Sequence, residues 1–465
     1  MLRFVSYSVL LILCIHYKFS FSQPALKQDR ILSSNELRQD LLFLKNKLET
    51  LHPNLYLYSS KTELDKLYDS LSNSIVLPMT DLEFYKHIAV LSSTIKDGHT
   101  NFLPGKETMS YHDSFSKFLP YKLIVYENKL YVDRVLTYEN SVLRGSEIIS
   151  INNISSKEII SELKKRLVRD GNNQTYPSWI LSNYFRNYYS FSYGHPTDFK
   201  IEYLQRDATG TVMIKALSKD SISYYNIRNY QEIENTLQAE KGIKLQISND
   251  SIYAVLKIRD FHKSVLKHIY KQNFKKEIRK AFYEIEKNKT PYLILDLRDN
   301  QGGELTYGKL LVSHLINKPF SLIESYYKVN SSGGKYELKK TGGKFTGQLR
   351  PSKETYQGNL IVLINGGSFS NSGIVASCLK RNTKTTFVGE ETGGNDKVLA
   401  GYIKEIILPF SQIEVQIPTK QFMLDNDLPL TGRGTIPDLP FQQNSSMDTS
   451  DATLNYVINK IIKGK

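Results

Sequence analysis

Leu360-Ile361-Val362-Leu363-Ile364-Asn365-Gly366-Gly367-Ser368-Phe369-Ser370-Asn371-Ser372-Gly373-Ile374-Val375-Ala376 reads as a buried strand that ends in a glycine pair and passes through serines into a helix. A serine at such a start lies in the field of the helix N-terminus and near its free amides. Serines there also serve as helix caps, which is the commoner role. Neither glycine frames a serine in G-x-S-x-G spacing, so the elbow of the α/β-hydrolases is excluded.

A second strand-to-turn unit lies upstream. Residues 292–297 are strongly apolar and lead into Asp296-Leu297-Arg298-Asp299-Asn300-Gln301-Gly302-Gly303. Adjacent glycines let backbone amides face a ligand with no Cβ in the way, as an oxyanion site requires. A plain structural turn has the same appearance. Around these units, strands are expected at 252–258, 386–388, 403–408 and 413–417, and helices at 265–286 and 307–316. Such alternation predicts a layered α/β sheet over 251–445, with a C-terminal helix in 446–465.

Further toward the N-terminus the texture changes. Leu37, Leu41, Leu44, Leu48 and Leu51 recur at helical spacing, and Ser33/Glu36, Ser60/Glu63 and Thr80/Glu83 have capping-box form. Residues 23–112 are therefore expected to be a helical domain. It ends near Asp97-Gly98-His99-Thr100, whose histidine has the residue type of a general base. From 118 to 205 short strands dominate, with 121–126 and 129–135 joined at Glu127-Asn128. A glycine turn at Gly145, a strand, Ile151-Asn152 and a helix over 156–168 follow. This order resembles the latter half of a PDZ domain, a module that takes an extended peptide along a strand edge. On that reading, deleting the module weakens the handling of long chains more than of short peptides. The polar stretch 206–250 is expected to be a connector with some strand.

The 465 residues are 40% hydrophobic, which excludes a wholly disordered chain. Residues 1–22 combine Arg3, an apolar run and a serine-bearing end, the layout of a secretory signal peptide, so export is expected. The net charge of +14 becomes +12 without Arg3 and Lys18. Its lysines are dispersed and no nucleic-acid-binding motif is found, so a solvated basic surface is the better reading. Two cysteines cannot form a disulfide scaffold, and without the leader only Cys378 remains. Neither H-E-x-x-H nor paired Cys/His spacing occurs, so no metal or organic cofactor is expected and chelators should leave activity untouched.

Taken in order, Asp97-Gly98-His99-Thr100, the D-x-R-x-N-x-G-G run at 296–303, Ser368-Phe369-Ser370-Asn371-Ser372, Gly389-Glu390-Glu391-Thr392-Gly393-Gly394 and Gly434-Thr435-Ile436-Pro437-Asp438 resemble the tail-specific, or C-terminal-processing, serine peptidases of family S41. The resemblance spans nearly the whole chain after the leader. It implies a crotonase-like catalytic core beside the helical and PDZ-like domains, and hydrolysis of a polypeptide substrate. It also implies Ser370 as nucleophile and His99 as base, with an oxyanion hole from the Asn371 amide and that of Gly302 or Gly303. The lysine of the family's Ser-Lys branch is replaced by Asn395, with Lys397 two residues late, which favours the histidine-using branch. The acid that orients histidine there falls on or near Thr431, with Asp425 and Asp427 upstream. Ser372-Gly373 replaces the common S-E. A catalytically silent peptide-binding relative and a hydrolase of non-peptide esters are the alternatives.

Overall fold

The apolar runs of the second half pair side by side. In the computed structural model, which describes residues 30–139, 141–329, 336–339, 344–425, 430–444 and 450–464, they build a six-stranded sheet. The expected leader and Asp427 lie outside the described residues. The spatial order is Ile243–Ile247, Tyr253–Ile258, Tyr292–Asp296, Asn359–Ile364, Thr386–Gly389 and Leu439–Pro440, antiparallel only at the first pair. Alternate residues face opposite sides, as a strand's two-residue period dictates. Leu293, Leu295, Val362 and Ile364 pack under the helices Phe274–Lys287, Leu305–Ser313 and Asn371–Asn382. Ile294, Ile361, Leu363 and Val388 are covered by the C-terminal helical segment through Val457. Burial on both faces explains the nearly unbroken apolar runs.

Two elements differ from expectation. The helix expected over 265–286 is two helices, Lys263–His268 and Phe274–Lys287. Lys271 adopts a left-handed φ of 52° between them, and Asn273 caps the second by accepting the Lys276 N–H at 3.1 Å. The strands expected at 403–408 and 413–417 belong to a longer hairpin, Val398–Ile407 with Glu414–Met423. That hairpin forms a second sheet with Ser325–Val329, Tyr336–Lys339 and Asn101–Leu103. The last strand directly follows the histidine turn, so the helical region is stitched to the C-terminal half by strand pairing.

All three capping boxes form, at Ser33, Ser60 and Thr80. They start the helices Ser34–Leu51, Lys61–Ser74 and Asp81–Ile88, whose buried leucines and aromatics share one core. Ile406, Ile413, Val415 and Ile417 of the hairpin complete that core.

The middle sheet runs Tyr121–Tyr126, Lys129–Val135, Glu147–Ile151, Asp198–Gln205, Ala208–Lys215. Glu127 and Asn128 are both left-handed, as a tight hairpin turn requires, and Gly145 has φ 86°. The stretch read as a connector with some strand holds a long strand, a helix and a second strand. Ala208–Lys215 pairs along its whole length with Asp198–Gln205 through the left-handed pair Arg206-Asp207. The helix Lys219–Ala239 and the strand Ile243–Ile247 follow. Polar composition hid them, because a half-exposed hairpin and a surface helix need few apolar residues. The helix Thr175–Tyr193 was also unforeseen, since its tyrosines and serines favour other structures locally. It buries Tyr176, Trp179, Ile180, Tyr184 and Tyr188 instead.

That helix closes the edge of Tyr121–Tyr126. The Val125 N–H donates to Ser182 Oγ at 2.9 Å, and Arg186 donates to the carbonyls of Leu119 and Tyr121. The opposite edge of this sheet is Ala208–Lys215. Among the described residues no helix is long and apolar enough to cross a membrane.

Candidate active site

Three loops leave the carboxyl ends of adjacent parallel strands, the end at which open α/β sheets carry their sites. They are residues 297–304, 365–370 and 390–397. The first two are locked together. The Asn365 side chain donates to Asp299 Oδ1 at 2.9 Å and accepts the Asp299 N–H at 3.0 Å, and Phe369 N–H donates to the Asn300 carbonyl at 3.0 Å.

The serines then separate by role. Ser368 is buried and structural: its hydroxyl donates to the Leu297 carbonyl at 2.8 Å and accepts the Asn365 N–H at 3.1 Å. Ser372 is buried under the first turn of its helix. Ser370 occupies the N-cap position of Asn371–Asn382 yet caps nothing. Its φ of 51° and ψ of −122° lie in a region that non-glycine residues enter at a cost of about 1–3 kcal/mol. The strained backbone turns the side chain outward, and Ser370 alone within 366–379 is not buried. Its Oγ lies 3.1 Å from His99 Nε2. Two residues 271 positions apart thus bring a hydroxyl and an imidazole within hydrogen-bond distance.

His99 is 8% exposed. Burial pulls its imidazole down to about 4, with the charge of Asp97 opposing, so it is neutral at pH 7 and able to accept a proton. Asp97 Oδ1 accepts the His99 backbone N–H at 2.8 Å, and Asp97 Oδ2 lies 3.5 Å from His52 Nε2. Asp170, from the middle region, accepts the Gly98 N–H at 2.7 Å and the Asn395 N–H at 3.2 Å. Its carboxyl is raised to about 8, first by burial and then by the neighbouring charge of Asp97.

Gly302 and Gly303 have φ of 90° and 130°. A Cβ on Gly302 would stand 2.7 Å from both the Asn371 nitrogen and Ser370 Cβ, so the turn presses directly on the serine. The two amides are not equivalent. Gly302 N–H already donates to Asn300 Oδ1 at 2.9 Å, and Gly302 is buried, which corrects its place among the oxyanion donors. Gly303 is half-exposed, and no turn or side-chain acceptor among the described residues takes its amide or that of Asn371. Amides in a helix's first turn are free by construction.

Of the places expected for the orienting acid, Asp427 lies outside the described residues, and the other two do not supply it. His99 Nδ1 is buried without a partner among the described residues, so neither Thr431 nor Asp425 reaches it. Thr431 is exposed, and Asp425 sits where the strand Glu414–Met423 has ended, its N–H directed at the Lys397 carbonyl at 3.4 Å. Asn395, in the lysine position, spends its side chain on a turn: Oδ1 accepts the N–H groups of Lys397 and Val398, and Nδ2 donates to Tyr58 Oη. Glu391 is taken by Arg433 and by the Gly434 N–H at 2.7 Å. Sequence reasoning missed Asp170, Asn300 and the rings around His99. Only the isolated Trp179 stood out in the composition, and without neighbours it pointed nowhere. Among the described residues no group of three His, Cys, Asp or Glu side chains is gathered to hold a metal ion.

Residues 252–441 match the model of peptidase family S41. The carboxyl-terminal-processing protease of Synechocystis sp. is 33% identical over 125 residues, 27% of this chain and 26% of that protein. Carboxyl-terminal-processing peptidase 1, chloroplastic, of Arabidopsis thaliana is 29% identical over 147 residues, 32% of this chain and 27% of that protein. The matched stretch thus spans about a quarter of these curated relatives. Among solved structures, mature CPAF superposes with a TM-score of 0.65 at 13% identity, covering 93% of this chain and 98% of that one. Mature CPAF complexed with lactacystin gives 0.67 at 15%, covering 93% and 99%. At these identities the likeness is one of fold, mixed α/β throughout.

Proposed function

We propose, from the match of residues 252–441 to peptidase family S41, that the chain is an exported serine peptidase acting on polypeptides through Ser370 and His99. The observation that carries this reading is the 3.1 Å contact between Ser370 Oγ and His99 Nε2, made by a serine in a strained helix-start conformation. In the reaction, Ser370 Oγ attacks the scissile carbonyl while His99 Nε2 takes its proton. The Asn371 and Gly303 amides receive the developing oxyanion, a contribution of roughly a hundred- to a thousandfold per donor. His99 then protonates the leaving amine, and water, activated by the same nitrogen, releases the acyl group.

The large parallel sheet with its three loops supports a crotonase-like core, and the middle sheet with its helix supports a PDZ-like ancestry. The silent peptide-binding alternative draws on one observation, the unpartnered His99 Nδ1. Fluorophosphonate labelling separates the two: labelling of the wild-type protein that disappears in Ser370→Ala supports the peptidase, and absence of labelling in the folded wild type sinks it. N-terminal sequencing of the protein outside the producing cell tests export, which residues 1–22 motivate.

A further inference from the structure

A histidine that takes a proton from serine needs its ring held in one plane. In the usual triad a carboxylate does this by accepting Nδ1–H and also stabilises the imidazolium. Here Nδ1 has no partner among the described residues, and Asp97, whose charge acts on the ring, spends Oδ1 on the backbone N–H and Thr100. What touches the ring is another ring. His99 stacks on Phe369 with centroids 4.6 Å apart and planes 27° apart. Phe369 stacks on Tyr176 at 4.1 Å and 11°, and Tyr176 on Trp179 at 6.1 Å and 17°.

The far end of this column is tied to the oxyanion turn. Tyr176 Oη donates to Gln301 Oε1 at 3.1 Å, and Trp179 Nε1 donates to Asp299 Oδ1 at 2.7 Å. Gln301 in turn donates to the Gly367 carbonyl at 2.6 Å. The column therefore runs from the base, past the nucleophile, to the loop that carries Gly303. Backbone positions on three separate loops make room for it. A Cβ on Gly98 would stand 2.8 Å from the Phe369 ring, one on Gly367 2.3 Å from Trp179 Nε1, and one on Gly393 3.0 Å from Tyr176.

We propose that this ring column, with Phe369, Tyr176 and Trp179 as positioning residues, orients His99, a task that no carboxylate among the described residues takes. The inference rests on the serine-peptidase reading. Face stacking fixes the plane of the imidazole, and an aromatic face within about 6 Å also favours the imidazolium that forms as Ser370 loses its proton. Two of the three rings belong to the middle region, so that region supplies catalytic geometry through the helix Thr175–Tyr193.

The test compares Phe369→Leu, Tyr176→Leu and Tyr176→Phe by kcat and KM on a fluorogenic casein peptide, and by fluorophosphonate inactivation rate. Imidazole nitrogen NMR of His99 reports the ring directly. Phe369→Leu should lower kcat and inactivation roughly tenfold with KM little changed, matching the upper end of one aromatic contact. Its His99 signals should broaden or shift. Tyr176→Leu should fall in the same direction, and Tyr176→Phe, which keeps the ring and loses only the Gln301 bond, should stay near wild type. A folded Phe369→Leu with unchanged kcat, or Tyr176→Phe as slow as Tyr176→Leu, overturns the column as the orienting element. Full hydrolysis by Ser370→Ala would instead overturn the peptidase reading itself.

Discussion

The serine turn hangs from the carboxyl ends of two paired strands, Tyr292–Asp296 and Asn359–Ile364, and most of its bonds close within those strands' own loops. The histidine turn has no strand of that sheet behind it. Its Gly98 N–H goes to Asp170, 72 residues away, and its Lys96 carbonyl takes the Gly171 N–H at 2.9 Å. Gly171 itself lies against Gly432, so close that a Cβ would meet Gly432 Cα at 2.4 Å. One half of the Ser370–His99 pair is thus positioned by its own supersecondary unit, and the other by a junction of three distant segments. The junction is where geometry is most exposed to substitution, because each partner can move with its own domain.

The largest expected effects lie at the shared hydrogen bond. Ser370→Ala and His99→Ala should each lower peptide hydrolysis by roughly five to six orders of magnitude, because the members act as a unit. Lys397→Ala should leave turnover nearly unchanged. A reversal of that order, read from kcat/KM, would restore a lysine base and dissolve the comparison.

Next comes the histidine turn alone. Gly98→Ala places a methyl 2.8 Å from Phe369 and 2.9 Å from Asp170 Oδ1, so the turn must shift. A displacement of about 1 Å costs about a hundredfold in rate. Steady-state kinetics beside an unchanged far-ultraviolet dichroism spectrum would locate the loss in positioning. Wild-type rates in this variant would mean that the junction is looser than its contacts imply.

Asp170→Ala should act on both stability and rate. It leaves the Gly98 and Asn395 amides without their acceptor, at about 1–3 kcal/mol for each buried group, measurable by urea unfolding. This also revises the expectation for the middle region. Its deletion removes Asp170, Tyr176 and Trp179 together, so short and long substrates should lose cleavage alike. Selective loss on long chains would return the region to substrate recruitment.

Acidity gives a further, smaller effect. With His99 at about 4, the acid limb of kcat/KM should fall well below the ordinary imidazole range near 6.5. The same shift acts on stability. Between about 6.5 and 4 the unfolded imidazole binds a proton that the folded one refuses, so this group's share of stability is lost as pH falls through that window. A limb at 6.5 would show that water reaches the ring. Smallest of all, Ser33→Ala should cost about 1 kcal/mol in thermal unfolding without changing kcat, since its capping box is an exposed, local set of bonds with Glu36.

The sequence by itself determined the strands Tyr292–Asp296 and Asn359–Ile364, the glycine turns after them and the capped helices, because each is written in a window shorter than about twenty residues. It also pointed to Ser370, His99 and the Gly302-Gly303 pair, through the order of several motifs and the resemblance they carry rather than through any one of them. Tertiary structure alone decided which serine is free, because Ser368, Ser370 and Ser372 differ only in what surrounds them. It decided that Gly302 is occupied and Gly303 open, through one Asn300 side chain. The polar stretch 206–250 became strand, helix and strand because partners elsewhere in the chain supplied the pairing. Asp170, Tyr176 and Trp179 became part of the site because their side chains cross between domains, and no spacing along the chain encodes a contact made only when separate cores dock.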